Sequence, residues 1–568
     1  MGFSFKHPYS FAASYQAPVA YFCMEYAIHQ PLKLYAGGLG FLSGSFLRSA
    51  FELNQNVVAI GILWKYGYYD QVRKSDQTMD ILFQEKVYGF LQKTDIKFTI
   101  SVSGHNVFVT VYYLPPETFN TVPLFLLSTD LPENDYLSKT ISHKLYDSNP
   151  ETKIASAILL GAGGARLLEI LDWQPEAYHL NESHALPLAF YLYNRYKDLH
   201  EVKKRLVFTN HTPEEGGNPK TDIFLLEKMD FFCHVPITEV RAITGAEGDT
   251  LNHTLAALRL SGIANGVSKL HHETLSRIWK KYTSICPLIS ITNAQNFNYW
   301  ANKDMYKALE SGNDNALLQA KSASKEQLFE IVADQNGEIF KKEILTIVFA
   351  KRFAGYKRAD LLLRNMERFE RLVTNQDRPI QIIWAGKPYP MDFTAIGIFD
   401  KIVNVCKSYT NCAVLVGYEL TLSKLLKQGA DIWLNFPRLT HEASGTSGMA
   451  AAMNAAINLA IPDGWFPEFA MDKINSFVIP SSDPSLPDHE KDDEEAHRLY
   501  DLLEKEIIPM YYDYPSTWLS IMKKSLQDVV TYFNSNRMAA EYYEKLYRPE
   551  KPLVSEKLPA SNSSLITL

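Results

Sequence analysis

The chain has 568 residues, of which 46% are hydrophobic and 21% charged, values typical of globular proteins. This composition excludes a disordered chain, a collagen-like fibre and a small disulfide scaffold. The 57 Lys and Arg residues against 64 Asp and Glu residues give a net charge of −7, which disfavours non-specific binding to nucleic acid. The five cysteines are scattered and form no CxxC pair, so we predict neither a metal site nor a disulfide framework.

No segment is predicted to enter a membrane. The N-terminus lacks the apolar core of a signal peptide, and the longest weakly polar stretch, Met449–Pro462, is too short to span a bilayer. We therefore expect a cytoplasmic protein with no membrane partner and no nucleic-acid partner.

Short apolar or β-branched runs alternate with longer helical patterns, which is the rhythm of parallel α/β sheets. Early in the chain, the segments 84–88, 95–102 and 107–113 alternate instead as antiparallel strands do. The predicted parallel strands include Asn56–Leu63, Arg205–Thr209, Ile344–Phe349, Pro379–Ala385, Cys412–Val416 and Asp431–Leu434.

The polar stretch from Ser322 to Lys342 separates two such series. We therefore predict an α/β protein with two doubly wound Rossmann-like domains, at residues 1–335 and 336–530. The Pro- and Asp-rich segment 481–495 predicts a soft connection, and the patterns at 496–506 and 518–547 predict amphipathic helices. Residues 531–568 are expected to hold a terminal helix that crosses back to the first domain, followed by a loose tail.

Three loops have compositions that suit ligand binding at the carboxyl ends of strands. Tyr35–Gly40 is rich in glycine and suits either backbone contact with an anion or a tight turn. Lys351–Arg358 carries four cations and suits either a phosphate or a solvated helix start. Glu442–Met449 offers backbone and hydroxyl donors beside a carboxylate, and suits either sugar hydroxyls or an ordinary helix cap. A further glycine cluster, Gly161–Gly164, lies in an apolar helical pattern and predicts close helix packing.

The loops as an ordered set, over about residues 15–550, resemble the short-form α-glucan phosphorylases that act on glycogen, starch or maltodextrin. Each loop alone is a weak signal, but their order along the chain is specific. The segments that carry the resemblance are Tyr21–Tyr26, Tyr35–Gly40, Asn181–His184, Thr209–Pro213, Gly266–Leu270, Ile291–Asn293, Lys351–Arg358, Trp384–Pro388, Glu442–Met449 and Phe533–Met538.

The resemblance implies a glycosyltransferase-B fold, an active site in the cleft between the domains, and glucosyl transfer with retention of anomeric configuration. It implies an α-glucan or other sugar acceptor and a phosphate-bearing donor, and it allows a homodimer. By motif alignment, Arg352 and Lys357 resemble the clamp on the substrate phosphate, which Gly37 and Gly38 face. The residues that resemble sugar contacts are Glu442, Ser444 and Gly445, with His211 and Asn293 near O6 and Tyr356 near O2. His211 joins Arg352 and Lys357 as the predicted catalytic residues.

The same alignment implies a pocket for pyridoxal phosphate (PLP) formed by Lys351, Thr446, Ser447 and Tyr418. The family's lysine that forms an imine with PLP aligns with Ala450, and a methyl group cannot form a Schiff base. Lys351 and Lys387 are the lysines that we expect as spatial neighbours. We therefore expect no covalent PLP, which leaves three alternatives: a sugar-nucleotide donor whose diphosphate fills the pocket, a degenerate glucan-binding or regulatory protein, and PLP bound without a covalent link. Of these, the intact set of cations favours glycosyl transfer.

Overall fold

Two large sheets dominate the computed structural model, which describes residues 2–548. Two small antiparallel hairpins, β3–β4 and β10–β11, accompany them. The strands are β1 Val19–Phe22, β2 Val57–Ile62, β3 Asp70–Arg73, β4 Met79–Leu82, β5 Gln92–Val102, β6 His105–Leu114, β7 Leu124–Ser128, β8 Ala177–Asn181, β9 Leu206–Thr209, β10 Lys220–Asp222, β11 Thr250–Asn252, β12 Ile263–Gly266, β13 Leu288–Ser290, β14 Leu345–Ala350, β15 Ile380–Ala385, β16 Cys412–Leu415, β17 Ile432–Asn435, β18 Ile457–Ala460 and β19 Phe477–Val478.

The first sheet has the order β13-β12-β9-β8-β1-β2-β7-β6-β5 and is parallel except at one edge, where β5 and β6 are antiparallel. Every residue of β1 and β2 is buried, as expected for parallel strands that are covered on both faces. The chain adds β2 on one side of β1 and β8 on the other, so the strand order reverses at β1. In sheets of this kind, ligands bind at the carboxyl ends of the strands beside such a reversal.

The second sheet is wholly parallel, with the order β16-β15-β14-β17-β18-β19. Its strand order reverses at β14, which lies between β15 and β17. The basic loop begins directly after β14, and the loop that contains Glu442 follows β17. Both loops therefore start at the edge of the sheet where a ligand is expected.

The helices cover the faces of both sheets. Gly161 lies in a π-helical turn, and Gly164 follows that turn at the start of α5; both pack closely against neighbouring elements. A Cβ on Gly161 would lie 2.7 Å from Ala185 O, and a Cβ on Gly164 would lie 2.5 Å from the Phe22 ring. The prediction of close packing there is confirmed. The α-helices are α1 Gly38–Glu52, α2 Pro116–Phe119, α3 Tyr136–Thr140, α4 Pro150–Ile158, α5 Gly164–Ile170, α6 Pro187–Tyr196, α7 Leu199–Lys203, α8 Ile223–Lys228, α9 Ile237–Thr244, α10 His253–Leu260, α11 Lys269–Trp279, α12 Phe297–Trp300, α13 Lys303–Glu310, α14 Asp314–Asn336, α15 Met366–Thr374, α16 Phe393–Cys406, α17 Leu420–Gly429, α18 Ser447–Ala452, α19 Asp488–Leu502, α20 Ile508–Asp513, α21 Pro515–Tyr532 and α22 Ser535–Glu541.

The predicted parallel strands are all present, with their ends shifted by at most one residue. The predicted strand at 84–88 is wrong, because β4 ends at Leu82 and the following residues form an extended loop. That loop is fixed by polar contacts rather than by a partner strand: Tyr88 accepts a hydrogen bond from the Lys33 N–H, and Lys86 pairs with Asp70.

The C-terminal helices differ from the prediction at two points. The segment 481–495 is not a loop throughout, because α19 begins at Asp488. The predicted helix 518–547 is interrupted at Phe533–Asn534, where the Phe533 carbonyl accepts the Gln295 N–H at 3.1 Å and Asn534 caps α22. Helix α22 then packs on α1, with Ser535 Oγ 2.6 Å from Ser49 Oγ. The predicted loose tail, 551–568, lies outside the described residues.

Helix α14 ends at Asn336, next to the predicted domain boundary. Although it precedes that boundary, it packs against α17 beside the second sheet: Lys321 Nζ donates to Gln428 O at 3.0 Å, and Lys325 pairs with Asp431 at 2.5 Å. Among the helices described between residues 2 and 548, none combines the length and apolar character that crossing a lipid bilayer requires.

Candidate functional site

The basic loop starts with a lysine that is held inside the protein. Lys351 is 6% exposed, and its Nζ donates to Ser447 Oγ at 3.1 Å, so the loop after β14 meets the start of α18. Burial lowers the pKa of Lys351 to about 7, although the nearby carboxylate of Glu442 favours the charged form. An anion bound at this amine would restore its charge at neutral pH.

Lys357 and Glu442 form a buried ion pair at the centre of the site. Lys357 Nζ lies 2.8 Å from Glu442 Oε1 and 3.0 Å from Oε2, and the two side chains are 11% and 8% exposed. Burial raises the pKa of Glu442, but the charges of Lys357 and Lys351 outweigh burial and hold it below its usual value. The predicted phosphate contact Lys357 and the predicted sugar contact Glu442 are therefore bonded to each other.

Asp463 lies directly behind Glu442 and fixes its backbone. Its two carboxyl oxygens accept the N–H groups of Glu442 and Gly464, each at 2.9 Å. Burial, with a further contribution from the charge of Glu442, raises the pKa of Asp463 to about 7. Gly464 has φ +60°, and a Cβ there would lie 2.3 Å from Ser444 O, so the turn requires glycine.

Arg352 is exposed to solvent and pairs with no carboxylate among residues 2–548. Its charge acts on Tyr68 and Tyr146, whose pKa values burial raises and Arg352 partly lowers. Both tyrosines precede the second sheet in the chain, so this cation faces residues of the first sheet's loops. The Tyr356 hydroxyl lies within reach of this guanidinium, which has no carboxylate partner in the described residues and can bind phosphate through two parallel hydrogen bonds.

The glycine-rich loop is organised by a buried carboxylate. Glu25, just after β1, accepts the N–H groups of Ala36 and Gly37 at 2.7 and 3.1 Å, and accepts the Tyr146 hydroxyl at 2.6 Å. The Gly37 N–H therefore already has a protein partner. Gly38 is exposed at the first position of α1, and a Cβ at either glycine would meet no atom within 4 Å. The open space beside these glycines is consistent with a ligand, but the Gly37 N–H does not point freely at one.

His211 follows β9 and is held by two residues that follow or end β8. Its Nε2 lies 2.7 Å from Asn181 Oδ1, and its backbone N–H donates to Glu182 Oε1 at 2.5 Å. Because the Asn181 oxygen can only accept, Nε2 carries the proton and Nδ1 remains an acceptor. Burial lowers the pKa of His211 to about 3, so the ring is neutral at pH 7. Glu182 has φ +68°, an uncommon conformation for a non-glycine residue.

Two buried polar atoms that the sequence assigned to sugar contacts have no hydrogen-bond partner among residues 2–548. They are Ser444 Oγ and Asn293 Oδ1, and each residue is 3% exposed. The segment Val267–Ser268 links them, since the Asn293 N–H donates to Val267 O at 2.9 Å and Ser268 Oγ donates to Ala443 O at 2.7 Å. An unsatisfied buried polar atom costs about 1–3 kcal/mol, so a ligand hydroxyl here would be stabilising.

The remaining predicted contacts lie next to residues already described. Gly445 has φ +79°, and a Cβ there would lie 3.1 Å from the Glu442 side chain. Tyr356 is half-buried and stacks on His441 with ring centroids 6.0 Å apart. Tyr418 is buried and donates to Ala350 O, next to Lys351, at 3.2 Å, while Thr446 precedes Ser447 at the start of α18. The structure therefore brings the residues of the proposed cofactor pocket to one place.

Residue 450 lies in α18 and is 1% exposed, so its methyl group packs inside the protein. A single side chain, Asn454, joins it to Trp300: Asn454 Nδ2 donates to Ala450 O at 2.7 Å and to Trp300 O at 2.9 Å. Of the two lysines expected nearby, Lys387 is bound to Glu419 at 2.7 Å and is not a free amine.

A third lysine, which the sequence reading missed, points into this region. Lys427, on α17, is 1% exposed, and its Nζ lies 4.0 Å from the ring centroid of Trp300. The rings of Phe41 and Trp433 lie 5.2 and 5.9 Å from the same atom. Its one hydrogen bond among the described residues goes to Ser423 Oγ, at 2.5 Å.

The charge state of Lys427 follows from the sizes of two opposing effects. Aromatic faces favour the ammonium form by about 0.5–2 kcal/mol. Full burial disfavours it by up to about 3–5 pKa units, which corresponds to roughly 4–7 kcal/mol. Burial, reinforced by the charge of Lys351, therefore lowers the pKa of Lys427 well below its usual value. No carboxylate pairs with Lys427 in the described part of the chain, so no ion pair there offsets the effect of burial. The one sign of a buried Lys427 in the sequence is its place within the apolar pattern of Leu422, Leu425 and Leu426.

One group of possible metal ligands is found in the described residues: Asp198, His200 and Glu201. The Glu201 carboxylate is already bound by Lys204 and Arg205, each at 2.6 Å, and Asp198 caps helix α7. Both carboxylates are therefore occupied with structural contacts.

Comparison with known proteins identifies the family. A profile described as carbohydrate phosphorylase matches residues 288–473, which include the basic loop and the Glu442 loop. Maltodextrin phosphorylase of Thermococcus litoralis is 34% identical over 594 residues, covering 94% of this chain and 71% of that protein. The chain belongs to the carbohydrate phosphorylase family.

Two further relatives span the chain to the same extent. Glycogen phosphorylase of Aquifex aeolicus is 29% identical over 607 residues, covering 94% of this chain and 86% of that protein. The uncharacterized protein MJ1631 of Methanocaldococcus jannaschii is 44% identical over 533 residues, covering 94% of this chain and all of the other. The parallel sheets described above are consistent with the fold of this family, and the predicted resemblance is confirmed at that level.

Proposed function

We propose that this chain is a retaining glycosyltransferase of phosphorylase type, which transfers a glucosyl unit between an α-glucan and phosphate in a cleft between two domains. The observation that carries the proposal is the charge balance of one loop region. Three basic side chains, Lys351, Arg352 and Lys357, act on the carboxylate of Glu442, and the raised pKa of Asp463 leaves the carboxyl behind it partly protonated at neutral pH. Such a site has a net positive charge and favours an anionic ligand.

In this proposal, Arg352 binds the substrate phosphate through its free guanidinium. Lys357 lies between that phosphate and Glu442, contacts both, and so fixes their relative positions. As the glycosidic bond breaks, negative charge develops on the phosphate side, and cations already fixed in place stabilise it without reorganising. The low pKa of Lys351 favours a second phosphate group beside this one, because a phosphate bound at that amine restores the charge that burial disfavours.

The sugar is proposed to occupy the opposite side of the site. Ser444 Oγ and Asn293 Oδ1 lack partners and suit sugar hydroxyls. Glu442 and the backbone at Gly445 offer further polar contacts, and Tyr356 lies beside them. His211 is proposed to accept a hydrogen bond from a sugar hydroxyl at Nδ1, as a neutral ring rather than as a cation.

The residues proposed to hold PLP are Lys351, Thr446, Ser447 and Tyr418. They fit a phosphate group, because a buried amine, two hydroxyl-bearing residues and a tyrosine lie together beside α18. In the family that the sequence resembles, the phosphate of PLP acts as a proton partner beside the substrate phosphate. We further propose that Ala450 stands at the position of the family's imine lysine. No bond to PLP can form at residue 450, so its retention depends on this pocket or on another amine.

An activity assay with four arms tests the proposal. The purified chain is incubated with maltodextrin and inorganic phosphate, with and without PLP, and formation of glucose 1-phosphate is measured. Parallel arms supply sugar nucleotides in place of phosphate, or measure maltooligosaccharide binding alone. We expect glucose 1-phosphate. Transfer from sugar nucleotides only would replace the phosphate donor in this account, and binding without turnover would indicate a glucan-binding protein.

A pair of arginine variants locates the phosphate. Arg352→Ala removes a charged hydrogen bond worth about 2–3 kcal/mol, which corresponds to a loss of roughly 30- to 150-fold in kcat/KM for phosphate. As a control, Arg371→Ala removes an arginine that is 62% exposed on α15 and pairs with Glu367, and should leave kcat/KM unchanged. Equal effects of the two substitutions would contradict the assignment of Arg352. The cytoplasmic location and the homodimer remain predictions from the sequence.

A further inference from the structure

Lys427 is a buried amine whose surroundings do not explain its presence as a structural residue. Lys321, a buried lysine on α14, donates to the carbonyl oxygens of Gln428, Ala430 and Asn454, close to Lys427 in space. Lys325 pairs with Asp431. Lys427 has neither a carbonyl nor a carboxylate partner in residues 2–548, and only the Ser423 hydroxyl accepts from it. Its amine therefore lies at the centre of an aromatic cage with most of its bonding capacity unused.

The cage is connected to the proposed cofactor pocket by short contacts. Ser423 Oγ lies 2.5 Å from Lys427 Nζ and 3.3 Å from the Tyr418 hydroxyl. That hydroxyl in turn donates to Ala350 O, in the residue before Lys351. The amine of Lys427 is thus separated from the pocket by one serine and one tyrosine side chain.

The cage also adjoins residue 450. Trp300 contributes both the ring nearest to Lys427 Nζ and the carbonyl that Asn454 ties to Ala450. Trp300 therefore connects the amine of Lys427, on α17, with Ala450 on α18, where the side chain carries no amine. The flat faces of Trp300 and Phe41 are surfaces on which an aromatic ring packs well.

The other buried lysines of the region are already engaged. Lys387 is paired with Glu419 and also donates to Tyr69 O. Lys351 donates to Ser447 Oγ and lies beside the Lys357–Glu442 pair, in the position that suits a phosphate. Among residues 2–548, no anion pairs with Lys427, and a desolvated lysine without an anionic partner is suited to act as a nucleophile.

We propose that Lys427 supplies the amine that bonds covalently to PLP in this chain, in place of the amine missing at residue 450; this rests on the proposed function. The neutral amine adds to the aldehyde carbon of PLP. A carbon–nitrogen double bond forms, and the aldehyde oxygen leaves as water with the two hydrogens of the nitrogen. No electrons are gained or lost, so the step needs no oxidant or reductant. This replaces the expectation, drawn from residue 450 alone, that the protein holds no covalent PLP.

Chemical trapping tests the assignment directly. The purified full-length chain is incubated with PLP, reduced with borohydride, digested, and mapped by mass spectrometry for the phosphopyridoxyl group. We expect the label on Lys427 in the parent protein. Lys427→Met should abolish it, whereas Lys424→Met, on the same helix and only half-buried, should retain it. The map of the parent protein remains decisive if the Lys427 variant does not fold.

The possible results separate this inference from the proposed function. PLP bound in stoichiometric amount with Lys427 unlabelled, or with the label on Lys351, would overturn the assignment of Lys427 and leave the phosphorylase proposal intact. Labelling of exposed lysines alone would also overturn it. Failure to bind PLP, together with no glucose 1-phosphate formed, would defeat both.

Discussion

Replacing Glu442 by glutamine should destabilise the protein markedly, because it leaves Lys357 buried without its anion. Removing one partner of a buried ion pair costs about 3–5 kcal/mol. The geometry supports the upper part of this range, since both carboxyl oxygens contact Lys357 Nζ, at 2.8 and 3.0 Å. Lys351 lies nearby and adds a second positive charge when protonated. The glutamine has nearly the same shape, so the loss comes from charge rather than from a cavity.

The assay is equilibrium unfolding in urea, followed by the fluorescence of the eight tryptophans. Asp304→Asn is the matched control, because Asp304 pairs with Lys307 at 2.9 Å but both side chains are about three-quarters exposed. An exposed pair contributes little. The double variant Lys357→Met/Glu442→Gln removes both charges and should recover most of the lost stability.

Phosphate gives a second readout on the same variant. An anion bound beside Lys357 should stabilise the Glu442→Gln protein, by about 2.7 kcal/mol when its concentration is a hundred times its Kd. If Glu442→Gln unfolds at the same urea concentration as Asp304→Asn, and phosphate has no effect, then the buried pair does not contribute as described and the charge balance of the site is wrong.

Two further predictions concern the support behind Glu442. The pKa of Asp463 is raised to about 7 in the folded protein, against about 3.9 when unfolded, so its contribution to stability is full below pH 4 and is lost as the pH rises to 7. Between pH 4 and pH 7 the free energy of unfolding should fall by up to about 4 kcal/mol because of Asp463, and Asp463→Asn should remove this fall. Thermal or urea unfolding measures it, and an unchanged pH profile in the variant would contradict the shifted pKa. Gly464→Ala should destabilise by more than the roughly 1–2 kcal/mol that a positive φ costs an alanine, since its Cβ would lie 2.3 Å from Ser444 O. Gly337→Ala has φ +75° with open space around it and measures the backbone cost alone, so equal effects of the two substitutions would show that the Ser444 contact does not matter.

The strands and the ligand-binding loops could be predicted because their signals are local. β-branched runs such as Leu345–Ala350 have one low-energy arrangement in a buried sheet, and the loops that follow them are marked by glycine or by charge. The alternation at 84–88 gave a wrong prediction because a local pattern does not show whether a strand has a partner to pair with. Val87 in this segment is 88% exposed. The break at Phe533–Asn534 depends on Gln295, more than 200 residues away in the chain, and no local pattern could locate it.

The electrostatic details of the site depend on long-range packing in the same way. The motif predicted that Gly37 faces an anion, but Glu25 from another loop takes its N–H. Lys357 and Glu442 were assigned to different ligands, and the structure bonds them to each other. The sequence did not single out Lys427, because one lysine within an apolar helical pattern does not by itself indicate a functional site. Only the packing of α1, α12, α17 and β17 brings Phe41, Trp300 and Trp433 around its amine.

A crystal structure of the full-length protein with glucose 1-phosphate tests the central claim most directly. The account predicts the phosphate on the Arg352 guanidinium, within reach of Lys357, and the sugar hydroxyls on Ser444 Oγ and Asn293 Oδ1. A ligand bound elsewhere, or a site in which Arg352 points away and side chains fill the space between the two loops, would contradict it.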